Sequence, residues 1–189
     1  MRKCGVVLLV MVLCLLMTGC TATIKQPEWK FEKESIRVHI KADHKLNLYN
    51  SKAHTLYVCF YQLSELNKFD QLTKDVAGIH ELLECKLFDP SVAAVNSKVI
   101  LAGENLTFIL DRAERAEYFA IVTGYFAELN NARMIRRHRI RVFKKRVSFW
   151  KSKYRCVPCN LDIELALGPN QIEYSKVIIT KRECTDECQ

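Results

Sequence analysis

A mainly β fold is predicted for this chain: a β-sandwich of about eight strands carrying one short helical insertion. Three observations carry the prediction. From Ile36 onward most of the chain alternates apolar with polar residues, the period of half-buried strands. Turn residues such as Ala102-Gly103-Glu104-Asn105 and Gly168-Pro169-Asn170-Gln171 separate these runs at short intervals. Only Ser64 to Cys85 changes period, with Leu66, Phe69, Leu72, Val76, Ile79 and Leu83 recurring at three- and four-residue spacing.

The N-terminus reads as a lipoprotein signal peptide. Arg2 and Lys3 form a basic start, Gly5 to Met17 is almost wholly apolar, and Met17-Thr18-Gly19-Cys20 has the form of a bacterial lipobox, although Leu is commoner where Met17 stands. The apolar run is too short to cross a bilayer core, which takes roughly 20 residues of helix. Processing would remove residues 1–19 and leave Cys20 as the acylated first residue. Thr21, rather than Asp, after the cysteine favours the outer membrane, facing the periplasm.

Residues 20–30 read as the acylated N-terminus and a tether, polar and aperiodic around Pro27. Residues 31–189 are the folded domain, long enough for one core. Ile36, Val38 and Ile40 alternate with Arg37, His39 and Lys41 in a first strand; Ala42 to His54 interrupts it, and Leu56 to Leu63 forms the second. The insertion, residues 64–85, is predicted as two short helices, because Thr73-Lys74-Asp75 and Gly78 interrupt it; Ser64 is a candidate N-cap. Further strands are predicted at Val92–Leu101, Leu106–Asp111, Tyr118–Phe126, Met134–Phe143, Asn160–Leu167 and Ile172–Thr180. In Met134–Phe143, Arg137, Arg139 and Arg141 share a side, a basic face suited to blunting an exposed sheet edge. The last two strands form a hairpin, with Pro169 and Asn170 at the turn positions they favour.

The formal net charge is +8, or +6 once Arg2 and Lys3 leave. Outside the cytoplasm this points to anionic lipid, cell-wall polymer or an acidic protein, and not to nucleic acid. After the leader and the acylated Cys20, six cysteines remain: Cys59, Cys85, Cys156, Cys159, Cys184 and Cys188. An even set in an exported protein implies disulfides. A two-residue hairpin loop places Cys159 opposite Thr180 and Cys156 near Cys184, which leaves Cys59 to pair with Cys85. Bridges within each cluster (Cys156–Cys159, Cys184–Cys188) and a four-thiolate zinc site are the alternatives.

Catalytic signatures are missing from the sequence: no H-E-x-x-H, Walker A loop, G-x-G-x-x-G or G-x-S-x-G occurs. The chain therefore reads as a binding module, not an enzyme. It is expected to need no metal, no cofactor beyond the lipid on Cys20, and no small-molecule substrate. Two competing readings are a lipoprotein that holds cell-wall glycan or anionic lipid through the basic strand, and a thiol-disulfide catalyst using Cys156 and Cys159.

The segments Leu46-Asn47-Leu48-Tyr49, His54-Thr55-Leu56, Cys59-Phe60-Tyr61-Gln62-Leu63, Phe69-Asp70-Gln71-Leu72, Leu82-Leu83-Glu84-Cys85, Phe88-Asp89-Pro90-Ser91-Val92, Asp111-Arg112-Ala113-Glu114 and Gly124-Tyr125 form one set in chain order. Together they resemble the TssJ (SciN) lipoproteins of type VI secretion systems. The likeness covers most of the mature domain and thins after about Ala132; the Cys184 and Cys188 tail lies outside it. It implies a transthyretin-like sandwich with added helices, anchored in the outer membrane. It also implies a partner, the periplasmic C-terminal region of the inner-membrane protein TssM, and hence a role in anchoring the trans-envelope complex. In that family the loop between the first two strands carries much of the contact. Here the loop is Ala42 to His54, and Leu46, Asn47, Leu48, Tyr49 and Asn50 are the expected contact residues. Independently of the family, Leu46, Leu48 and Tyr49 are apolar or aromatic side chains in an otherwise polar loop, where a soluble domain gains nothing by exposing them; they form either an interface or a lid folded back on the sandwich edge.

Overall fold

The computed structural model describes residues 27–126, 131–146, 154–178 and 184. Among these are ten strands: β1 Glu32–Ala42, β2 Leu56–Leu63, β3 Val92–Ile100, β4 Asn105–Arg112, β5 Tyr118–Thr123, β6 Ile135–Arg139, β7 Val142–Arg146, β8 Tyr154–Pro158, β9 Leu161–Leu167 and β10 Ile172–Ile178. Three short helices accompany them: α1 Asn67–Leu72, α2 Val76–Leu83 and α3 Asn131–Met134. The expected leader, Cys20 and Cys188 lie outside the described residues.

Two four-stranded sheets face each other, in the orders β10-β9-β1-β4 and β3-β2-β5-β6, and β7 with β8 forms a separate ribbon. The alternation that predicted the strands fills the space between the sheets. Ile36, Val38 and Ile40 from β1 and Leu161, Ile163, Leu165 and Leu167 from β9 meet Leu56, Val58 and Phe60 from β2 and Phe119 and Ile121 from β5, all buried. The Phe60 ring lies 5.9 Å from Phe119 and 5.2 Å from Phe108. Gln62 is buried too, and both ends of its amide are bonded: Nε2 donates to the Asp111 carbonyl (2.8 Å) and Oε1 accepts from the Ala113 amide (2.7 Å). This ties the end of β2 to the end of β4 without leaving an orphaned polar group.

The helical insertion covers the outer face of the second sheet. Tyr61 donates to the Leu82 carbonyl (2.6 Å) and packs against Phe69 and Phe88; burial pushes its phenol above the usual range. Cys59 on β2 and Cys85 after α2 form a disulfide, Cα–Cα 5.5 Å. The insertion does divide into two helices, but Ser64 caps neither. Its hydroxyl donates to the Ser91 carbonyl, Leu66 precedes α1 with no side-chain cap, and Asp75 caps α2 by accepting from the Gly78 amide (2.7 Å).

Three further expectations need correction. Met134–Phe143 is not one strand. After Arg139 the Ile140 side chain turns into the core while its amide bonds the Glu117 carbonyl, and the chain then leaves the sheet to pair with β8. That second strand, Tyr154–Pro158, is too short and too irregular in period to be read from sequence. The last hairpin keeps the Gly168–Gln171 turn, but Ile172 faces Leu167 whereas Tyr174 faces Ala166. A bulge at Glu173 thus moves every later partner by one residue. Cys159 is joined to Cys184, Cα–Cα 6.1 Å, and Cys156 is also disulfide-bonded. Cys159 is therefore not bridged to Cys156 in this structure, and Cys184 is not bridged to Cys188.

The open edges of the two sheets meet where β6 approaches β10. Arg136 donates to the Ile172 carbonyl (2.7 Å) and His138 Nε2 lies 2.6 Å from the Ser175 hydroxyl. Burial, with help from Arg136, lowers the His138 pKa to about 4. The unfolded chain therefore takes up a proton at a higher pH than the native one, and stability is lost as pH falls from about 6.5 towards 4. Replacing His138 by Gln should flatten that limb of the stability curve by about 2 kcal/mol. Urea denaturation at pH 7 and 4.5 measures the difference; parallel losses in both proteins would refute it.

Candidate functional site

The loop between β1 and β2 is rigidly built. Asp43 starts it with an Asx-type turn, its carboxylate accepting from the Lys45 amide (2.7 Å). Tyr49 and Lys52 exchange two backbone hydrogen bonds of 2.9 and 3.0 Å around Asn50 and Ser51, both at positive φ. This is the tight turn whose two central residues occupy the left-handed region. The loop is fastened to its neighbours: the Asp43 carbonyl accepts from the Gly103 amide in the β3–β4 turn, and the Leu48 amide donates to Pro169 in the β9–β10 turn. Gly103 has φ +75 and lies against the His44 ring, so neither the backbone conformation nor the space suits a side chain there.

Burial divides the five residues expected to touch a partner. Leu46 is 0% exposed and closes the core at this end of the sandwich. Asn47, 2% exposed, donates from Nδ2 to the Thr55 carbonyl (2.8 Å) and accepts at Oδ1 from the Phe126 amide (2.7 Å). These two hold the loop in place and are withdrawn from the expected contact set. Leu48 is half-buried, Asn50 is exposed, and Tyr49 is 51% exposed.

Tyr49 does not stand alone. Its ring centroid is 5.3 Å from that of Phe126, which is 57% exposed, and 6.2 Å from His54, whose ring is 5.1 Å from Phe126. Three rings from two separate chain segments thus form an outward-facing aromatic cluster. His54 Nδ1 lies 2.9 Å from the Lys52 carbonyl, which orients its ring. Sequence reasoning missed Phe126, because a phenylalanine closing an apolar strand reads as core. Only the end of β5 at Thr123 and the Asn47 bond to its amide turn it outward. Behind it, buried Tyr125 donates to the Gln171 carbonyl (2.7 Å), and burial raises its phenol pKa.

The basic strand has a different job from the one expected. Arg137 Nε donates to Asp70 (2.5 Å), its Nη2 to Thr73 (2.8 Å), and its guanidinium covers the Phe69 ring. It clamps α1 to the sheet edge. Arg139 and Arg141 instead line a cavity of 370 Å³ at the opposite end of the sandwich, near Cys159 and Cys184. The three arginines therefore do not form one ligand-binding stripe.

The family profile of the type VI secretion lipoproteins (T6SS-SciN; VasD, EvfM, TssJ) matches residues 34–168. The chain belongs to this family. The match takes in both sheets up to the β9–β10 turn, and with them the loop and its aromatic cluster. Solved structures similar to this TssJ-family domain agree on the fold. The type VI secretion lipoprotein TssJ1 from Pseudomonas aeruginosa aligns with a TM-score of 0.55 at 13% identity, covering 82% of this chain and 100% of that one. Serratia marcescens Lip, described as a membrane-bound component of the type VI secretion system, gives 0.52 at 12% identity over 77% and 98%. A structure described as the TssM C-terminal domain from EAEC gives 0.54 at 10% identity over 77% and 98%. Comparison with curated protein sequences returns no match.

Proposed function

We propose that this TssJ-family lipoprotein is acylated at Cys20, faces the periplasm from the outer membrane, and binds the periplasmic C-terminal region of TssM through its β1–β2 loop. In this reading it anchors the type VI secretion membrane complex and catalyses nothing. The observation that carries the binding site is the exposed Tyr49–His54–Phe126 cluster, in which two rings of a loop pinned at both sides meet a third ring from the segment after β5. A monomeric domain gains nothing by exposing two large aromatic rings side by side, whereas aromatic anchors on a rigid frame suit an interface. Leu48 and Asn50 flank the cluster and complete the proposed contact set. Calorimetric titration of the mature domain with the TssM periplasmic region tests the assignment; absence of binding would refute it.

The anchor makes a separate prediction. One acyl chain binds membranes marginally, and stable attachment needs more than one chain or a second signal. A processed lipoprotein cysteine carries several, so Cys20→Ser should release the domain from the membrane fraction with its melting temperature unchanged. Secretion should fail with it. Unchanged outer-membrane fractionation of the variant would refute acylation at Cys20.

A further inference from the structure

We propose that the β7–β8 ribbon lies against an anionic phospholipid surface beside the point where the tether leaves the domain. This rests on the anchored reading for which membrane is touched, but the ribbon's affinity for lipid does not depend on acylation. No Asp or Glu occurs between Glu128 and Asp162, whereas eleven Lys and Arg do. The fold gathers part of that charge into the ribbon. Lys144, Lys145 and Arg146 are consecutive and exposed on β7, and Lys145 stands directly opposite Arg155 on β8. Like charges facing each other across a strand pair destabilise it. Glu28 offsets Arg155, but Lys144 and Lys145 stay exposed, a surface suited to anions.

The topology places this charge at the tether's end. β1 begins at Glu32, β6 ends at Arg139, and β9 begins at Leu161 opposite Ile36, so all three open or close at the pole opposite the aromatic cluster. Glu28, at the end of the tether, forms an ion pair with Arg155, which fixes the tether against the ribbon. Only six residues lie between Cys20 and Pro27, and the seven steps from one to the other reach about 25 Å when fully extended. An acyl group at Cys20 therefore keeps the ribbon close to the headgroups. Arg139 and Arg141, both exposed, add positive charge from the adjoining cleft; its acidic residues are Glu32 and Asp162, the latter 3.5 Å from Arg37. Basic side chains near an anionic leaflet add to acyl anchoring and lose effect beyond a Debye length. The ribbon would thus hold the domain upright, with its aromatic cluster pointing away from the membrane.

Among the described residues every buried core side chain lies at or beyond Ile36. The chain from Thr21 onward, without acylation, also keeps Trp29, which packs against them, and serves for the test. It is sedimented with vesicles of phosphatidylcholine alone or with about a quarter phosphatidylglycerol, at low and high salt. Binding is expected only to the anionic vesicles and only at low salt. Lys144→Glu with Lys145→Glu should weaken it about tenfold or more. A control, Lys45→Glu with Lys52→Glu on the opposite loop, makes the same change in net charge and should change it less than about twofold. Equal losses in the two variants would reduce the effect to net charge and overturn the proposal. So would failure of the wild-type chain to bind, or binding to purified cell wall alone. Matching melting temperatures confirm that each variant is folded.

Discussion

Replacing Tyr49 and Phe126 together by alanine is expected to weaken binding to the TssM periplasmic region at least about thirtyfold, with little change in melting temperature. Both rings are half-exposed and contact one another and His54. Truncation therefore removes little from the core, and its cost should fall on the complex. Alanine in place of a central aromatic anchor commonly costs about 2 kcal/mol or more, which is where the thirtyfold figure originates. Leu46→Ala is the informative contrast. That side chain is fully buried, so its loss should cost about 2–5 kcal/mol of stability. Calorimetric titration and thermal melting of both variants separate the roles. Wild-type affinity in the Tyr49/Phe126 variant would move the interface away from this loop.

Replacing Cys59 and Cys85 together by alanine is expected to lower the melting temperature by about 6–12 °C. The bridge closes a loop with a sequence separation of 26 residues, worth roughly 3 kcal/mol through the freedom it removes from the unfolded chain. For a domain of this size each kcal/mol shifts the midpoint by about 2–4 °C. The loss should be concentrated in α1 and α2, which the bridge fastens to β2. Hydrogen exchange should then show those helices opening before the sheets. Tyr61 and Arg137 would still hold them from two other sides, so the helices should loosen and not detach. An unchanged melting temperature would show that these contacts already suffice.

Much of the sandwich was legible because a half-buried strand writes its own period. Ile36, Val38 and Ile40 could only have lain on one face, and they do. The failures share a cause. Ile140 continues the alternation of β6, yet its backbone bonds to Glu117 and the chain changes partner there, a decision made by the neighbouring strand. Glu173 looks like an ordinary strand residue, but a bulge at that point shifts the register of the last hairpin. Arg137 looks like a solvated edge charge, but the helices above the sheet offer it Asp70 and Thr73.

By itself the sequence determined the strand faces, the two-helix insertion and the family likeness, because each depends on residues near one another in the chain. Tertiary structure alone decided which loop residues face outward. Leu46 and Tyr49 are equally plausible contacts in a polar loop, but the first fills the open end of the core and the second is held outside it by a turn that needs two residues at positive φ. Phe126 joined the cluster only because Asn47, 79 residues earlier, binds its amide. A local pattern states which side chains prefer burial. It cannot state which of them the packing of distant segments has room to bury.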